Sequence, residues 1–275
     1  MALYSLKEIL ADAQKRSYGV GYFNGFNLEM VRAYIRAAED TRSPIIMGTA
    51  EGLLKYCDFD WLAPLMLHAA RTAKVPVAVH LDHCYTFDNI MRALHVGFGS
   101  VMYDGSALSY EENVRNSVEV AKVCRPAGVG LECELGKVGG GEGDIENIYT
   151  DPEQAADFVE KTGTDFLAVS FGSTHGVYRE APRLDLNRLA AIRSKVDKPL
   201  VLHGGSGLSD DDFRNSIKGG VCKVNIYTDI VTAAINSIRK GQAEKDYCDL
   251  GLRAEDAMYE ATVKKIRVFG SDNKY

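Results

Sequence analysis

Short apolar segments alternate with amphipathic segments along almost the whole chain, and this alternation restricts the fold more than any other feature. The apolar runs predict strands at residues 18–24, 44–48, 76–82, 99–103, 129–135, 165–171, 199–203 and 221–226. The amphipathic runs predict helices at 28–41, 59–73, 86–96, 109–125, 152–162, 185–195, 209–218 and 228–240, and a last helix at 252–268. Eight strand-then-helix units in 275 residues indicate an α/β fold, a single (β/α)8 TIM barrel over residues 1–275 with an extra C-terminal helix. A doubly wound open sheet is the alternative, but no G-x-G-x-x-G turn follows the first strand.

Polar side chains of catalytic type occur at nearly every predicted strand end. In a barrel the carboxyl ends of the parallel strands share one face, and active sites form there. The opposite ends of the strands show no comparable set of polar side chains, and this asymmetry indicates an enzyme. The polar strand ends are Phe23-Asn24, Gly48-Thr49, Asp82-His83, Tyr103-Asp104, Glu132-Cys-Glu134, Ser173-Thr-His175, His203-Gly-Gly-Ser206 and Asn225-Ile-Tyr-Thr228.

Three histidines, His83, His175 and His203, come from three different strand ends. Three protein ligands with an open fourth position are typical of a catalytic zinc site. A single loop histidine is more often a surface or core residue, but three on one barrel face favour a metal centre. Asp104 and Glu134 could bind a second metal ion or hydrogen-bond the histidines, with a buried acid paired to Lys or Arg as the alternative.

The strand at 76–82 places Ala78, His80 and Asp82 on its inward face, with Asp82 last. Asp82 is therefore either a catalytic acid or an N-cap for the helix that follows. A metal-dependent hydrolase on this fold is a competing hypothesis, but such enzymes use His-x-His on one strand. Here the triplet is His80-Leu81-Asp82, which counts against a hydrolase.

The segment His203-Gly-Gly-Ser-Gly207 joins a strand to a helix, and its glycines can expose backbone N–H groups to a phosphate. The next strand end, Asn225 to Thr228, lies beside it, and barrels often bind phosphate at the last two strand ends. Turns also favour glycine, so an ordinary turn is the alternative. A second glycine-rich segment, 136–144, carries Glu142 and is either a closing loop that supplies a base or a surface loop.

Charge and cysteine usage exclude several classes of partner. The net charge is -6 without a basic stripe, so no nucleic acid is expected, and no segment approaches the apolar length of a membrane span. The N-terminus lacks a basic segment followed by an apolar run, and the six cysteines contain no C-x-x-C pair. We therefore expect free thiols and a cytoplasmic protein.

Together these segments resemble the class II (zinc-dependent) ketose-bisphosphate aldolases, near the fructose-bisphosphate and tagatose-bisphosphate aldolases. The resemblance covers almost the whole chain. Its motifs include Phe23-Asn24, His80-Leu-Asp-His83, Ser100-Val-Met-Tyr-Asp-Gly-Ser106, Glu132-Cys-Glu-Leu-Gly136, Gly139-Gly-Gly-Glu142, Thr174-His-Gly176, Leu200-Val-Leu-His-Gly-Gly-Ser-Gly207 and Lys223-Val-Asn-Ile226.

The resemblance implies a zinc enzyme that reversibly cleaves a phosphorylated ketose to dihydroxyacetone phosphate and an aldehyde. It implies that Asp82 shuttles the C4 hydroxyl proton and that Glu142 exchanges the C3 proton of dihydroxyacetone phosphate. The implied zinc ligands are His83, His175 and His203, and Asp104 and Glu134 match a second metal position. The implied substrate and phosphate contacts are Asn24, Thr49, Gly176, Gly204, Gly205, Ser206, Asn225, Tyr227 and Thr228. A monovalent cation (Na+ or K+) near the phosphate and a homodimer or homotetramer are implied as well.

The sequence departs from this family where the substrate lies. Tyr227 stands where bisphosphate members usually have Asp or Ala, and Thr49 is a candidate contact for a distal phosphate. The small-molecule phosphosugar is therefore a fructose- or tagatose-1,6-bisphosphate, a ketose 1-phosphate without a distal phosphate, or a phosphorylated keto-sugar acid. A non-catalytic sugar-phosphate-binding relative is a further hypothesis, although Asp82, Glu142 and all three histidines are retained.

Overall fold

Eight parallel strands close into a barrel, which confirms the predicted (β/α)8 fold. The computed structural model describes residues 3–140, 147–176, 182–241 and 246–275. The barrel strands are β1 (Val20–Asn24), β2 (Ile45–Ala50), β3 (Val77–Cys84), β4 (Ser100–Tyr103), β5 (Gly130–Leu135), β7 (Phe166–Val169), β9 (Leu200–Leu202) and β10 (Val221–Ile226). Their order around the ring is β1-β10-β9-β7-β5-β4-β3-β2, and two short strands outside it, β6 (Gly139–Gly140) and β8 (Thr174–His175), pair with each other.

Most of the described helices follow a barrel strand and cover the outside of the barrel. The described helices are α1 (Leu6–Arg16), α2 (Leu28–Thr41), α3 (Phe59–Thr72), α4 (Phe87–Val96), α5 (Tyr110–Cys124), α6 (Pro152–Thr162), α7 (Leu186–Lys195), α8 (Asp210–Lys218), α9 (Thr228–Lys240) and α10 (Tyr247–Phe269). Ser5, Ser109 and Ser209 begin three of these helices with capping boxes, which satisfy backbone N–H groups that have no partner in the helix. No described helix combines the length and the apolar character needed to cross a membrane.

Alternation along each strand divides the core into two layers. On β3, Val77, Val79 and Leu81 pack with the helices, whereas Ala78 belongs to a separate cluster inside the barrel. The inward side chains at the amino ends of the strands are apolar and fully or almost fully buried. They are Val20, Tyr22, Ile46, Ala78, Phe166, Ala168, Val201 and Cys222.

Helix α1 packs against this inner cluster and closes the amino-terminal end of the barrel, and no prediction had placed a helix there. Its buried residues Leu6, Ile9, Leu10 and Ala13 recur at helical spacing. The backbone N–H of Tyr4 donates to the carbonyl of Val77, which ties the segment to β3. The apolar floor of the barrel is therefore completed by a segment from outside the eight repeating units.

Helix α10 starts earlier than the predicted 252–268 and packs against α2 and α9. Its Met258, Val263 and Ile266 are buried within the chain, with Val263 and Ile266 meeting Ala37 of α2. These three side chains therefore stabilise the fold of this chain.

Candidate active site

A β-bulge at the end of β3 lets two consecutive residues, Asp82 and His83, face the same cavity. Neighbouring residues on a regular strand point to opposite faces. Here the pairing register between β3 and β4 shifts between Leu81 and Cys84, and His83 adopts a left-handed φ of 38°. A bulge redirects one side chain in this way. The predicted strand-end pair is confirmed as a pair that lines the cavity.

Two close backbone approaches bring His175 and His203 to the same place. Strand β8 carries His175 and pairs with Gly140, whose φ is 92°. A Cβ on Gly140 would collide with the carbonyl of His175, and one on Gly204, at φ 66°, would collide with Thr174. Glycine is the residue that tolerates both the conformation and the contact.

The three imidazoles converge as predicted. The ring centroid of His83 lies 4.9 Å from that of His175 and 4.5 Å from that of His203. Nδ1 of His203 lies 2.8 Å from Nε2 of His83. One nitrogen from each ring lies within 4.8 Å of the others, which is close enough for all three to hold one metal ion.

The chemistry of these side chains fits a cation. Nε2 of His175 is buried without a hydrogen-bond partner among the described residues. Burial lowers the pKa of His175, and the neighbouring His83 and His203 lower it further, to about 3, so that this ring stays neutral. Burial also lowers the pKa of His83, but Asp82, Asp104 and Glu134 outweigh it and raise the pKa to about 10. The site therefore offers a neutral nitrogen within a field that favours positive charge.

Asp104 and Glu134 add two carboxylates beside the histidines, and Oε2 of Glu134 lies 3.9 Å from Nδ1 of His203. Oδ2 of Asp104 is 2.8 Å from Nδ1 of His83, and its other oxygen accepts hydrogen bonds from Ser106. Burial and the charge of Asp104 raise the pKa of Glu134 to about 8. His83, Asp104 and Glu134 form a second group able to hold a metal ion, as the sequence indicated.

Beneath the histidines lies a buried ion pair between Glu132, which the sequence offered as a carboxylate near the histidines, and Lys223, which sequence reasoning did not identify. Nζ of Lys223 is 2.8 Å and 3.0 Å from the two carboxylate oxygens of Glu132, and Oε1 of Glu132 is 2.9 Å from Nε2 of His203. Both members of the pair are fully buried. The signal was a lysine within an otherwise apolar strand, two residues before Asn225 and on the same face. The pair orients His203 from below.

Asn225 holds the carboxylate of Asp82 in place. Its Nδ2 donates to both oxygens of Asp82, at 3.0 Å and 3.1 Å. Burial raises the pKa of Asp82, but the positive charges of His83 and Lys223 outweigh burial and hold the pKa well below its usual range. Asp82 is therefore an ionised carboxylate at the edge of the cavity.

A cavity of about 720 Å³ opens above these groups at the carboxyl end of the barrel. It contains most of the predicted substrate contacts: Asn24, Gly176, Gly204, Gly205, Ser206, Asn225, Tyr227 and Thr228. The hydroxyl of Ser206 accepts from the backbone N–H groups of Tyr227 and Asp229, which joins the glycine segment to the first turn of α9. The cavity walls also include Leu53, Tyr85 and Lys137, which sequence reasoning had not assigned to the site.

Among the described residues, one predicted substrate contact, Thr49, does not line this cavity. Thr49 shares the outward face of β2 with Met47, and its side chain is fully buried, so the predicted contact with a distal phosphate is wrong. Ala50, the next residue, lines the cavity in its place. Glu142 lies outside the described residues, and its proposed role as a base stays a prediction.

Comparisons of the sequence and of the structure with known proteins all point to the same family. Residues 4–274 match the family model described as fructose-bisphosphate aldolase class-II. A sulfofructosephosphate aldolase from Alkalicoccus urumqiensis is 37% identical, with 100% of this chain and 99% of that protein covered. A probable fructose-bisphosphate aldolase from Bacillus subtilis is 39% identical over 100% of both chains. The crystal structure of the YdjI aldolase from Escherichia coli K12 superposes with a TM-score of 0.92, at 37% identity and 99% coverage of both chains.

Proposed function

The chain belongs to the class II fructose-bisphosphate aldolase family, and we propose on this premise that it cleaves a ketose 1-phosphate reversibly, with zinc, to dihydroxyacetone phosphate and an aldehyde. Membership of the family makes the protein an aldolase with a metal cofactor. The observation that carries the choice of zinc is the convergence of three imidazoles, one of which has a buried nitrogen without a partner among the described residues. An all-imidazole set with room for a fourth ligand suits zinc.

His83, His175 and His203 would hold the zinc ion. Bound there, it would polarise the substrate carbonyl and stabilise the negative charge left when the C3–C4 bond breaks. Asp104 and Glu134 would orient His83 or hold a second metal ion. Glu132, braced by Lys223, would fix the orientation of His203.

Asp82 would accept the proton of the C4 hydroxyl during cleavage and return it during condensation. Support comes from its ionised state and from Asn225, which fixes both carboxylate oxygens. A proton acceptor is effective when the protein holds it at the reacting atom. Asn24, which lines the cavity, would contact the substrate, and the hydroxyl of Tyr22 donates to its side-chain oxygen at 2.7 Å and orients it.

The phosphate of the dihydroxyacetone half would bind where Gly204, Gly205 and Ser206 meet the start of α9 at Thr228. A helix N-terminus combines free backbone N–H groups with a positive dipole end, and both favour an anion. Gly176 would lie alongside. The monovalent cation implied by the family resemblance would sit next to this phosphate.

The remaining half of the substrate would extend toward Tyr85 and Lys137. In the ring order, β9 and β10 lie across the barrel from β3 and β4, so a substrate anchored at the phosphate end crosses the metal centre toward those strands. Lys137 follows β5 and is the one lysine or arginine among the described residues of the cavity wall. We propose that it attracts an anionic tail group, and that Tyr227, at the start of α9, restricts the substrate that fits.

Release of triose phosphate from a panel of substrates tests this proposal. The panel contains fructose 1,6-bisphosphate, tagatose 1,6-bisphosphate, and 1-phosphates with carboxylate or uncharged tails, each with zinc and with a chelator. Zinc-dependent release from a bisphosphate is the expected result and identifies the preferred C4 epimer. Release from other 1-phosphates alone would keep the mechanism and assign a different tail to the part of the cavity beside Lys137.

Two outcomes contradict the proposal. Release that is unaffected when a chelator has removed all bound metal would exclude zinc chemistry. Failure to release triose phosphate from any panel member by the zinc-loaded protein would favour a non-catalytic sugar-phosphate-binding role.

The proposed assembly, a homodimer or homotetramer, is tested separately by light scattering of the same preparation. The proposed cytoplasmic location is tested by fractionation of the source cells.

A further inference from the structure

Glu51 gathers four hydrogen bonds on a single carboxylate oxygen, all from the turn that follows His83. Oε2 accepts from the backbone N–H of Tyr85 at 2.9 Å and from that of Thr86 at 3.2 Å. It also accepts from the hydroxyl of Thr86 at 3.1 Å and the thiol of Cys84 at 3.1 Å. Glu51 opens the short 3-10 helix after β2, and β2 pairs with β3 up to Ala50 and Asp82.

The residue directly before the turn that Glu51 holds has an unfavourable backbone conformation. His83 is not glycine, yet its φ is 38°, and it sits within the register shift between β3 and β4. Such a residue persists only where its surroundings determine it strongly. The next three residues along the chain, Cys84, Tyr85 and Thr86, are the ones that donate to Glu51.

The start of α4 depends on the same carboxylate. Thr86 is the N-cap of α4, but its side chain makes no capping hydrogen bond to its own helix. Its backbone N–H and hydroxyl go to Glu51 instead. A negative charge at a helix N-terminus is favourable, so one oxygen supports both the turn and the helix.

We infer that Glu51 is a positioning residue for the metal centre, which fixes the bulged turn so that the imidazole of His83 faces His175 and His203. This inference rests on the proposed zinc site. Glu51 itself is not among the residues that line the cavity and donates no ligand. Its effect reaches the site through the backbone of residues 84–86.

Zinc affinity of the full chain, measured by competition with a chromophoric chelator, tests the inference without relying on activity. Glu51→Ala should weaken zinc binding by about 10–100-fold, the loss typical when support behind a metal ligand is removed. Glu51→Gln keeps one acceptor oxygen and should lose less. The matched control is Glu39→Ala, because Glu39 also accepts a backbone N–H, from Lys74 at 2.8 Å, at a place remote from the site.

A double-mutant comparison separates positioning from general destabilisation. In a His83→Ala background, Glu51→Ala should cause no further loss of zinc affinity, because the residue that it positions is gone. Unchanged zinc affinity in both Glu51 variants would overturn this inference alone, as would an equal loss in the His83→Ala background. A wild-type protein that binds no zinc would overturn the proposed zinc dependence and this inference with it.

Discussion

The two ends of the barrel interior are equally buried but are built from opposite chemistry. At the amino end, apolar side chains such as Ile46, Ala78 and Val201 pack against α1. Nearer the carboxyl end, the interior holds His80, Glu132 and Lys223, all fully buried. Burial of apolar area stabilises the first region, whereas the desolvation of charge opposes folding in the second.

This difference shows which part of the barrel interior carries side chains suited to chemistry rather than to stabilising the fold. On β3 the inward residues run from Ala78 through His80 to Asp82, so a single strand passes from floor to active site within two pleats. The charged layer is tolerated because its members pair with one another, as Glu132 does with Lys223 and His203. Four substitutions, at different heights in the barrel, test this comparison.

The largest effect is expected at the top, from Asp82→Asn. Removing a general acid–base group costs about 10²–10⁴-fold in turnover, because in the proposed reaction the C4 proton then has no acceptor. Zinc content should be unchanged, since Asn occupies nearly the same volume and Asp82 is not one of the three converging imidazoles. Steady-state cleavage and metal analysis of the same sample measure both quantities. Turnover within threefold of wild type would show that another group carries the proton.

In the charged layer, Lys223→Met should lower the free energy of unfolding by about 3–5 kcal/mol, because Glu132 would be left as a buried charge without its partner. Urea unfolding of the metal-free protein measures the change. The double variant Lys223→Met with Glu132→Gln should recover part of the loss, since no unpaired charge remains. A loss below about 1 kcal/mol in the single variant would mean that the charged layer is less desolvated than its burial indicates.

At the floor, Leu10→Ala should lower the free energy of unfolding by about 2–5 kcal/mol through lost apolar contact and a cavity. Zinc affinity should not change, because Leu10 packs against the apolar cluster at the amino ends of the strands. Urea unfolding and chelator competition give the two readouts. Weaker zinc binding in this variant would contradict the separation of the two barrel ends.

The smallest effect is expected at the rim, from Lys137→Met. A partly exposed charge contributes about 1 kcal/mol to an ion pair, so kcat/KM for a substrate with an anionic tail should fall about fivefold. A substrate with an uncharged tail should be cleaved as before, and Lys137→Arg should retain most of the preference. An equal decrease for both substrates would remove the proposed contact between Lys137 and the tail.

Local patterns in the sequence determined the strands, the helices and the side of the barrel that carries chemistry. A short apolar run between amphipathic segments marks a buried strand, and a polar residue at its carboxyl end marks the catalytic face. The convergence of His83, His175 and His203 could therefore be predicted. The same reasoning missed α1, because the repeating units begin at β1 and nothing local shows that Leu6 and Leu10 close a barrel. The prediction for Thr49 was wrong because the predicted strand ended at residue 48. Thr49 in fact continues β2, and strand alternation directs its side chain away from the cavity.

Only the closed barrel decided the remaining features. Lys223 meets Glu132 across 91 residues of sequence, and Asn225 meets Asp82 across 143. The bulge at His83 depends on the pairing register among β2, β3 and β4. So do the hydrogen bonds of Glu51 to the turn after His83. Short-range periodicity reports burial, which each residue expresses in its own segment. Contacts between distant segments depend on ring order and register, and these are fixed only when all eight strands close together.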